Sequence, residues 1–241
     1  MQAVSLSFFR FRTPLARLWA LGMMGAARFA LPKVDGIGFW KLCGSGTGEG
    51  FTPVPNTAVY AILSTWRDEA TARRQVAHSR IWTRYRSRAS EDWTVFLTPT
   101  SARGHWAGEA PFEVSQGAEP GPLAALTRAT VKPAVAAKFW KQVPDISSVI
   151  GADANVIFKI GIGEVPLLHQ VTFSIWPDAD AMAHFARAPG GPHQRAIAAV
   201  REGGWFREEL YARFAVTGDM GSWGGVSPLA KLPPLDLEAT T

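Results

Sequence analysis

The chain repeats itself. TAVYAILSTWRDEATARR at 57–74 aligns without a gap on LLHQVTFSIWPDADAMAH at 167–184, bringing Trp66 over Trp176 and Asp68 over Asp178. A second block, EDWTVFLTPTSARGHW at 91–106, aligns on EELYARFAVTGDMGSW at 208–223, with Thr100 over Thr217, Gly104 over Gly221 and Trp106 over Trp223. The offsets are 110 and 117, so the second copy gains about seven residues between its blocks. Each first block reads as a strand that runs into a helix: apolar residues alternate up to the Trp, and an Asp follows at the positive end of the helix. Each second block reads as a further strand. The repeat constrains the chain to two copies of one α+β unit. Their sheets would pack face to face and leave a space between sheet and helices suited to a flat apolar ligand.

The stretch from Gln170 to Phe214 shows the second copy most fully. Val171, Phe173 and Ile175 alternate with Thr172 and Ser174, which predicts a strand with two faces. Pro177 and Asp178 open a helix with Ala181, Phe185 and Ala188 on one face. Ala188 to Gly191 breaks it. Pro192-His193 starts a short second helix that carries Ile197 and Val200 inward, and Gly203-Gly204 ends it. A last strand is expected from Glu209 to Val216. Earlier in the chain, strands are expected over Val4–Arg12, Asn56–Thr65, Asp92–Pro99, Leu123–Lys132 and Asn155–Ile162. Helices are expected over Pro14–Arg28, from Trp66 towards Tyr85, and over Pro133–Trp140. Gly36 to Gly50 reads as a glycine-rich loop, with no Gly-Lys-Ser/Thr to make it a phosphate loop. A hairpin connection, or a close approach of backbone to ligand, explains it better. The expected units are 1–117 and 123–225, separated by AEPGP at 118–122, with a tail over 226–241.

The order in the Gln170–Phe214 stretch resembles a ferredoxin-like α+β barrel domain of the antibiotic-biosynthesis and heme-degrading monooxygenases. Trp176, Asp178/Asp180, Phe185, Gly190/Gly191 and His193 carry that likeness. The wider chain narrows it. LSFFRFRTPLARLWALG at 6–22, GFWKLCGSGTGEGFTPVPNTAVYAILSTW at 38–66, ATVKPAVAAKFWKQVP at 129–144 and GGPHQRAIAAVREGGWFREELYARF at 190–214 resemble the spheroidene monooxygenase family of carotenoid 2-ketolases. The resemblance covers roughly residues 4–225. It implies an α+β fold of tandem ferredoxin-like units forming a pseudo-dimeric α+β barrel.

Composition excludes several other classes. A chain of 241 residues, 47% hydrophobic and 19% charged, is globular and can bury a substantial core. The single Cys43 rules out an internal disulfide and a zinc ribbon, and fits a reducing cytoplasm. The net charge of +5 comes without a recognised nucleic-acid motif, so no nucleic-acid partner is expected. It suits solvated helix faces first, and otherwise an anionic membrane surface or an acidic electron-transfer partner. Leu18 to Ala27 is apolar but too short to span a bilayer, and Arg17 and Arg28 close it. The strand-like segment before it does not fit a secretory signal. It is expected to pack as an amphipathic first helix that can touch a membrane.

The chemistry rests on the resemblance. In the related heme-degrading enzymes the proximal histidine occupies nearly the place of His193, which implies His193 as the catalytic residue and as the axial ligand of heme b. Of the five histidines, His78 is the second choice, while His105, His169 and His184 read as surface or satisfied core. Cys43 would be the ligand if the iron took a thiolate. Trp82, Trp176, Phe185, Ile197 and Trp205 are candidate walls of a heme slot, and Arg195, Arg201, Arg84 and Lys138 are candidate partners for its propionates. The ten tryptophans of the chain suit a porphyrin or a polyene, or are simply large core residues. The resemblance further implies an acyclic carotenoid as substrate, O2 as co-substrate and reduced ferredoxin as reductant. Two hydroxylations of C-2 and loss of water would turn spheroidene into its 2-ketone. The implied location is the cytoplasm, with peripheral contact at the inner photosynthetic membrane. A tandem ferredoxin-like protein that binds heme or carotenoid without turnover, and a cofactor-free monooxygenase, are the alternatives. No nucleophile elbow, HExxH or paired-cysteine site supports a hydrolase or a zinc enzyme.

Overall fold

Alternation builds the first strand, β1 (Ala3–Arg10), in which every residue but the last is buried. Val4, Leu6 and Phe8 join one core, while Ala3 and Phe9 join another on the opposite face. The computed structural model describes residues 1–50, 52–115, 121–141, 155–187 and 203–232. After β1, helix α1 (Pro14–Ala30) starts at Thr13, whose hydroxyl accepts from the Ala16 N–H at 3.2 Å. Then come β2 (Ile37–Gly46), β3 (Pro55–Trp66), the helices α2 (Glu69–His78) and α3 (Arg80–Arg86), and β4 (Glu91–Gly104). The second half supplies β5 (Leu123–Val131), helical residues 136–141, β6 (Phe158–Gly163), β7 (His169–Trp176), α4 (Ala179–Arg187) and β8 (Phe206–Gly221).

The strands close into a barrel in the order β1-β3-β2-β6-β7-β5-β8-β4. By halves this is β4-β1-β3-β2 joined to β8-β5-β7-β6, the same fourth, first, third and second order in each. Residues aligned by the repeat take matching places. Trp66 pairs with Ala3 at the start of β1, and Trp176 pairs with Leu123 at the start of β5. Asp68 accepts from the Thr71 N–H at 2.6 Å, and Asp178 from the Ala181 N–H at 2.7 Å. After β4, Trp106 bridges Glu109; after β8, Trp223 bridges Val226.

Two seams join the halves. β4 and β8 pair along most of their length, from Trp93↔Gly221 to Gly104↔Leu210. β2 and β6 meet only through Gly44↔Gly163 and Ser45↔Ile162. The short seam is reinforced where Gly161 N–H donates to Glu49 O at 2.7 Å and Lys159 reaches the Glu49 carboxylate at 3.0 Å. The glycine-rich stretch is therefore part strand and part turn, and its close approach is to backbone. A Cβ on Gly50 would lie 1.7 Å from the Gly161 carbonyl oxygen.

The barrel interior is filled by side chains, as expected for eight strands. Phe8, Trp93, Phe158 and Phe173 pack there with ring centroids 4.6 to 6.3 Å apart. On the outside of the first half, Trp66, Trp82, Phe9 and Phe96 fill the space beneath α1, α2 and α3. The helix expected from Trp66 towards Tyr85 breaks at Ser79, whose extended backbone ends α2 and begins α3. The expected tail also begins later than Val226: Pro228 is buried and Leu229 packs on the barrel core. The segment 118–122 lies mostly outside the described residues.

Candidate functional site

Side chains alternate along a strand, so each inward core residue has an outward neighbour. In the second half the outward set includes Ala125 and Thr127 of β5, Thr172 and Ser174 of β7, and Tyr211 and Arg213 of β8. These residues line a cleft of about 530 Å³. Trp176, Met182 and Phe185 wall it on the β7 side, and Ser101 and Arg103 from the end of β4 line the other edge. Four adjacent strands give a floor about 14 Å wide, the scale of a porphyrin ring. Trp176 and Phe185 stack with centroids 5.1 Å apart and an interplanar angle of 37°.

Among the described residues, the corresponding face of the first half is filled. Register places Ser5 opposite Ser64 and Phe96, and Ala125 opposite Ser174 and Arg213. One step along, Ser7 faces Ile62 and Thr94, and Thr127 faces Thr172 and Tyr211. Thus Ile62 and Phe96 of the filled face become Thr172 and Arg213. The first face is closed by indoles held by hydroxyls: Trp66 Nε1–H donates to Ser5 at 2.8 Å, and Trp82 Nε1–H to Ser7 at 2.9 Å. The second keeps small polar side chains beside one aromatic wall. Its arginines, Arg103 and Arg213, are exposed at its edge.

Trp176 and Phe185 thus come together at one wall of the cleft. Trp205 is buried beside Lys138, whose Nζ lies 5.1 Å from the indole centroid. It precedes Phe206, which pairs with Val131, while Trp176 pairs with Leu123 at the other end of β5. The two tryptophans stand at opposite ends of a nine-residue strand, roughly 25 Å apart. Trp82 and Arg84 belong to α3 in the first half, so they do not wall this cleft. His193, Arg195, Ile197 and Arg201 lie outside the described residues.

The alternative ligands lie away from this cleft. His78 is exposed at the end of α2 in the first half, and His105 and His184 are also exposed. Cys43 is fully buried in the barrel core, on the other side of the sheet from the cleft. Burial first, and then the nearby Glu164 carboxylate, push its thiol far above the ordinary range, so a thiolate there is disfavoured. Among the described residues, no group of three or more His, Cys, Asp or Glu is arranged to hold a metal ion.

One buried charge cluster was not foreseen from sequence. Arg128, 1% exposed, pairs with Glu208 and lies 3.7 Å from Glu164. Glu164 also accepts from Trp106 Nε1–H at 2.7 Å and faces Lys41 at 3.5 Å and His169 Nδ1 at 3.6 Å. Glu208 accepts from the N–H groups of Ala107 and Gly108 at 2.9 and 2.7 Å. Desolvation raises its pKa, but those two N–H bonds and Arg128 outweigh that and hold it below the usual carboxylate range. The cluster ties strands of both halves together. No spacing in the sequence marks it. Of the cleft residues, Ala125, Thr127, Met182, Arg103 and Arg213 were also missed, although alternation in LAALTRATV puts Ala125 and Thr127 opposite Leu126.

No family model matches the chain. Curated relatives do. The chain is 53% identical over 232 residues to spheroidene monooxygenase of Cereibacter sphaeroides, covering 96% of this chain and 72% of that protein. It is 52% identical over 233 residues to spheroidene monooxygenase of Rhodobacter capsulatus, covering 95% and 96%. With that of Rubrivivax gelatinosus it shares 35% over 212 residues, covering 88% and 81%. Among solved structures, an aldoxime dehydratase in complex with butyraldoxime superposes with a TM-score of 0.64 at 12% identity, over 96% of this chain and 86% of that one. A likeness at that identity concerns the fold alone.

Proposed function

The chain belongs to the spheroidene monooxygenase family, and from that premise we propose that it oxidises C-2 of an acyclic carotenoid to a ketone. The observation that carries the reading is identity above half with relatives of that name over nearly the whole chain. Each hydroxylation takes one O2, two electrons and two protons, places one oxygen atom on carbon and releases the other as water. Two rounds at one carbon give a geminal diol, which loses water to leave the carbonyl group. The electrons come from outside the chain, with reduced ferredoxin as the proposed donor.

The two halves are read as tandem ferredoxin-like units of a pseudo-dimeric barrel, supported by their shared strand order. The cleft outside β5, β7 and β8 is read as the place of heme b. The fit rests on three features: a floor of Ala125, Thr127, Thr172 and Ser174, with Thr172 where the first half carries Ile62, the Trp176–Phe185 wall, and Arg103 and Arg213 at the edge. Heme, when bound, supplies reductive activation of O2. His193 is the proposed axial ligand and catalytic residue, with Arg195, Ile197 and Arg201 as further proposed contacts; Trp205, at the far end of β5, is not among them. Trp176 and Phe185 would hold the ring and keep water from it.

The test begins with the visible spectrum of the purified protein, as isolated and after dithionite with carbon monoxide. A Soret band that His193→Ala abolishes or shifts supports the assignment. Cells that make spheroidene and express the protein should accumulate the 2-ketone, and cells expressing His193→Ala should not. Heme uptake without ketone formation would favour a binding protein. Ketone formation without heme would favour the cofactor-free alternative.

A further inference from the structure

The first 34 residues carry Arg10, Arg12, Arg17, Arg28 and Lys33 and no carboxylate; the first acid of the chain is Asp35. Helix α1 packs through a narrow stripe of Ala16, Ala20, Met23 and Ala27. Small side chains let it lie close on the sheet, and they use up one face. The opposite face is apolar and open to solvent: Leu15, Leu18, Leu21 and Phe29 are 71%, 66%, 57% and 78% exposed. At 3.6 residues per turn these four lie within about 120° of one another, centred away from the alanine stripe. Arg17 and Arg28 fall together on one border of that face. An isolated exposed leucine needs no explanation, but an apolar face flanked by cations on one helix does.

A cleft of about 280 Å³ opens beside this helix. Leu21 and Met24 of α1 line it with Tyr60, Trp140, Ile162 and Leu167. Its lining also includes Gln170, whose outward row on β7 continues through Thr172 and Ser174 into the larger cleft. Among the described residues no helix is long and apolar enough to cross a membrane, and α1 has 17 residues. Its chemistry instead suits the plane of the headgroups, with leucines towards the acyl chains and arginines towards lipid phosphates.

We propose that α1 seats the protein on an anionic bilayer and turns the mouth of this cleft towards the lipid phase. A polyene dissolved in the bilayer then reaches the protein without crossing water. The partner is the bilayer itself, chosen over a second copy of the chain because the flanking charges are all of one sign. The route for the substrate rests on the proposed function; the docking does not.

Flotation with vesicles tests it. The protein should float with vesicles of phosphatidylcholine and phosphatidylglycerol, and much less with phosphatidylcholine alone or at high salt. Leu18→Ser with Phe29→Ser should cut the bound fraction at least ~10-fold, while circular dichroism and the heme spectrum stay unchanged. Neither residue lines a cleft, so the barrel is expected to fold. Absence of binding by the natural chain overturns the proposal, as does equal binding by the double variant. A dimer seen by light scattering that the double variant dissolves also overturns it, since a second copy then covers the face. Failure of the heme or ketone assays would leave the flotation result standing.

Discussion

Trp66 donates its indole N–H to Ser5 on the neighbouring strand at 2.8 Å, whereas Trp176, its counterpart in the repeat, donates to Ser174 of its own strand at 3.0 Å. The cause is one substitution in the floor. Ala125 stands where the first half has Ser5, so Trp176 has no hydroxyl at the matching place across the sheet. The first half thereby closes over its aromatic side chains, and the second keeps a cleft beside one aromatic wall.

Filling that cleft should separate ligand binding from folding. Thr172→Phe places a ring on the floor where Ile62 stands in the first half. Heme uptake, followed by optical titration, should fall at least ~10-fold, while thermal unfolding of the apoprotein moves by a few degrees at most. Thr172→Ser, which keeps the floor low, should bind normally.

Arg128 holds the carboxylates of Glu164 and Glu208 in the barrel wall. Arg128→Ala leaves Glu208 without its ion pair and Glu164 paired with Lys41, and should cost about 3 kcal/mol in denaturant unfolding. Arg128→Lys should recover part of that, because one ammonium cannot reproduce two guanidinium contacts.

The lowered pKa of Glu208 gives acid stability a sign. Its folded-state pKa lies below its unfolded value, so its stabilisation is complete above the unfolded value, near ~4.3. It is lost as pH falls through the folded value. Glu208→Gln should be less stable than the natural chain at neutral pH, and the difference should shrink under acid. Urea midpoints measured across that range check it.

The short β2–β6 seam should be sensitive to a single methyl group. Gly50 has φ +90° and touches the Gly161 backbone. Gly50→Ala should cost more than about 2 kcal/mol, from backbone strain and the clash together. Gly25→Ala, in a helix with open space at that point, should instead stabilise by ~0.5–1 kcal/mol. Paired unfolding curves decide it.

Cys43 should behave as a small core residue. Its thiol should not react with an aromatic disulfide reagent until the chain unfolds, and Cys43→Ala should leave the optical spectrum unchanged. A thiolate-type spectrum lost in that variant would move the ligand inside the barrel.

Much of the fold was legible because it rests on local periodicity. The alternation of Val171, Phe173 and Ile175 with Thr172 and Ser174 marked both faces of β7, and all three apolar residues are in the core. The alignment of Trp66 with Trp176 and of Trp106 with Trp223 agrees with the strand register and the turn bridges. The strand β2 was hidden because Gly44 and Gly46 read as loop, whereas Gly46 lets backbones meet: a Cβ there would lie 2.4 Å from the Thr52 carbonyl oxygen. Trp82 seemed a cleft wall because sequence counts aromatic residues without saying which half they fill. Trp205 was separated from Trp176 by strand length, which no motif reveals.

By itself, then, the sequence determined a repeated strand and helix pattern, the alternation of its strands, the helix starts at Asp68 and Asp178, and the family likeness. These depend on near neighbours and on backbone propensity, which a linear pattern records. Tertiary structure decided which face was filled and which left open, how Lys41, Trp106, Arg128, Glu164 and Glu208 meet, and that α1 turns its leucines outward. Those outcomes depend on contacts between residues far apart in the chain, where closing the barrel sets the distances and a one-residue pattern carries no record of them.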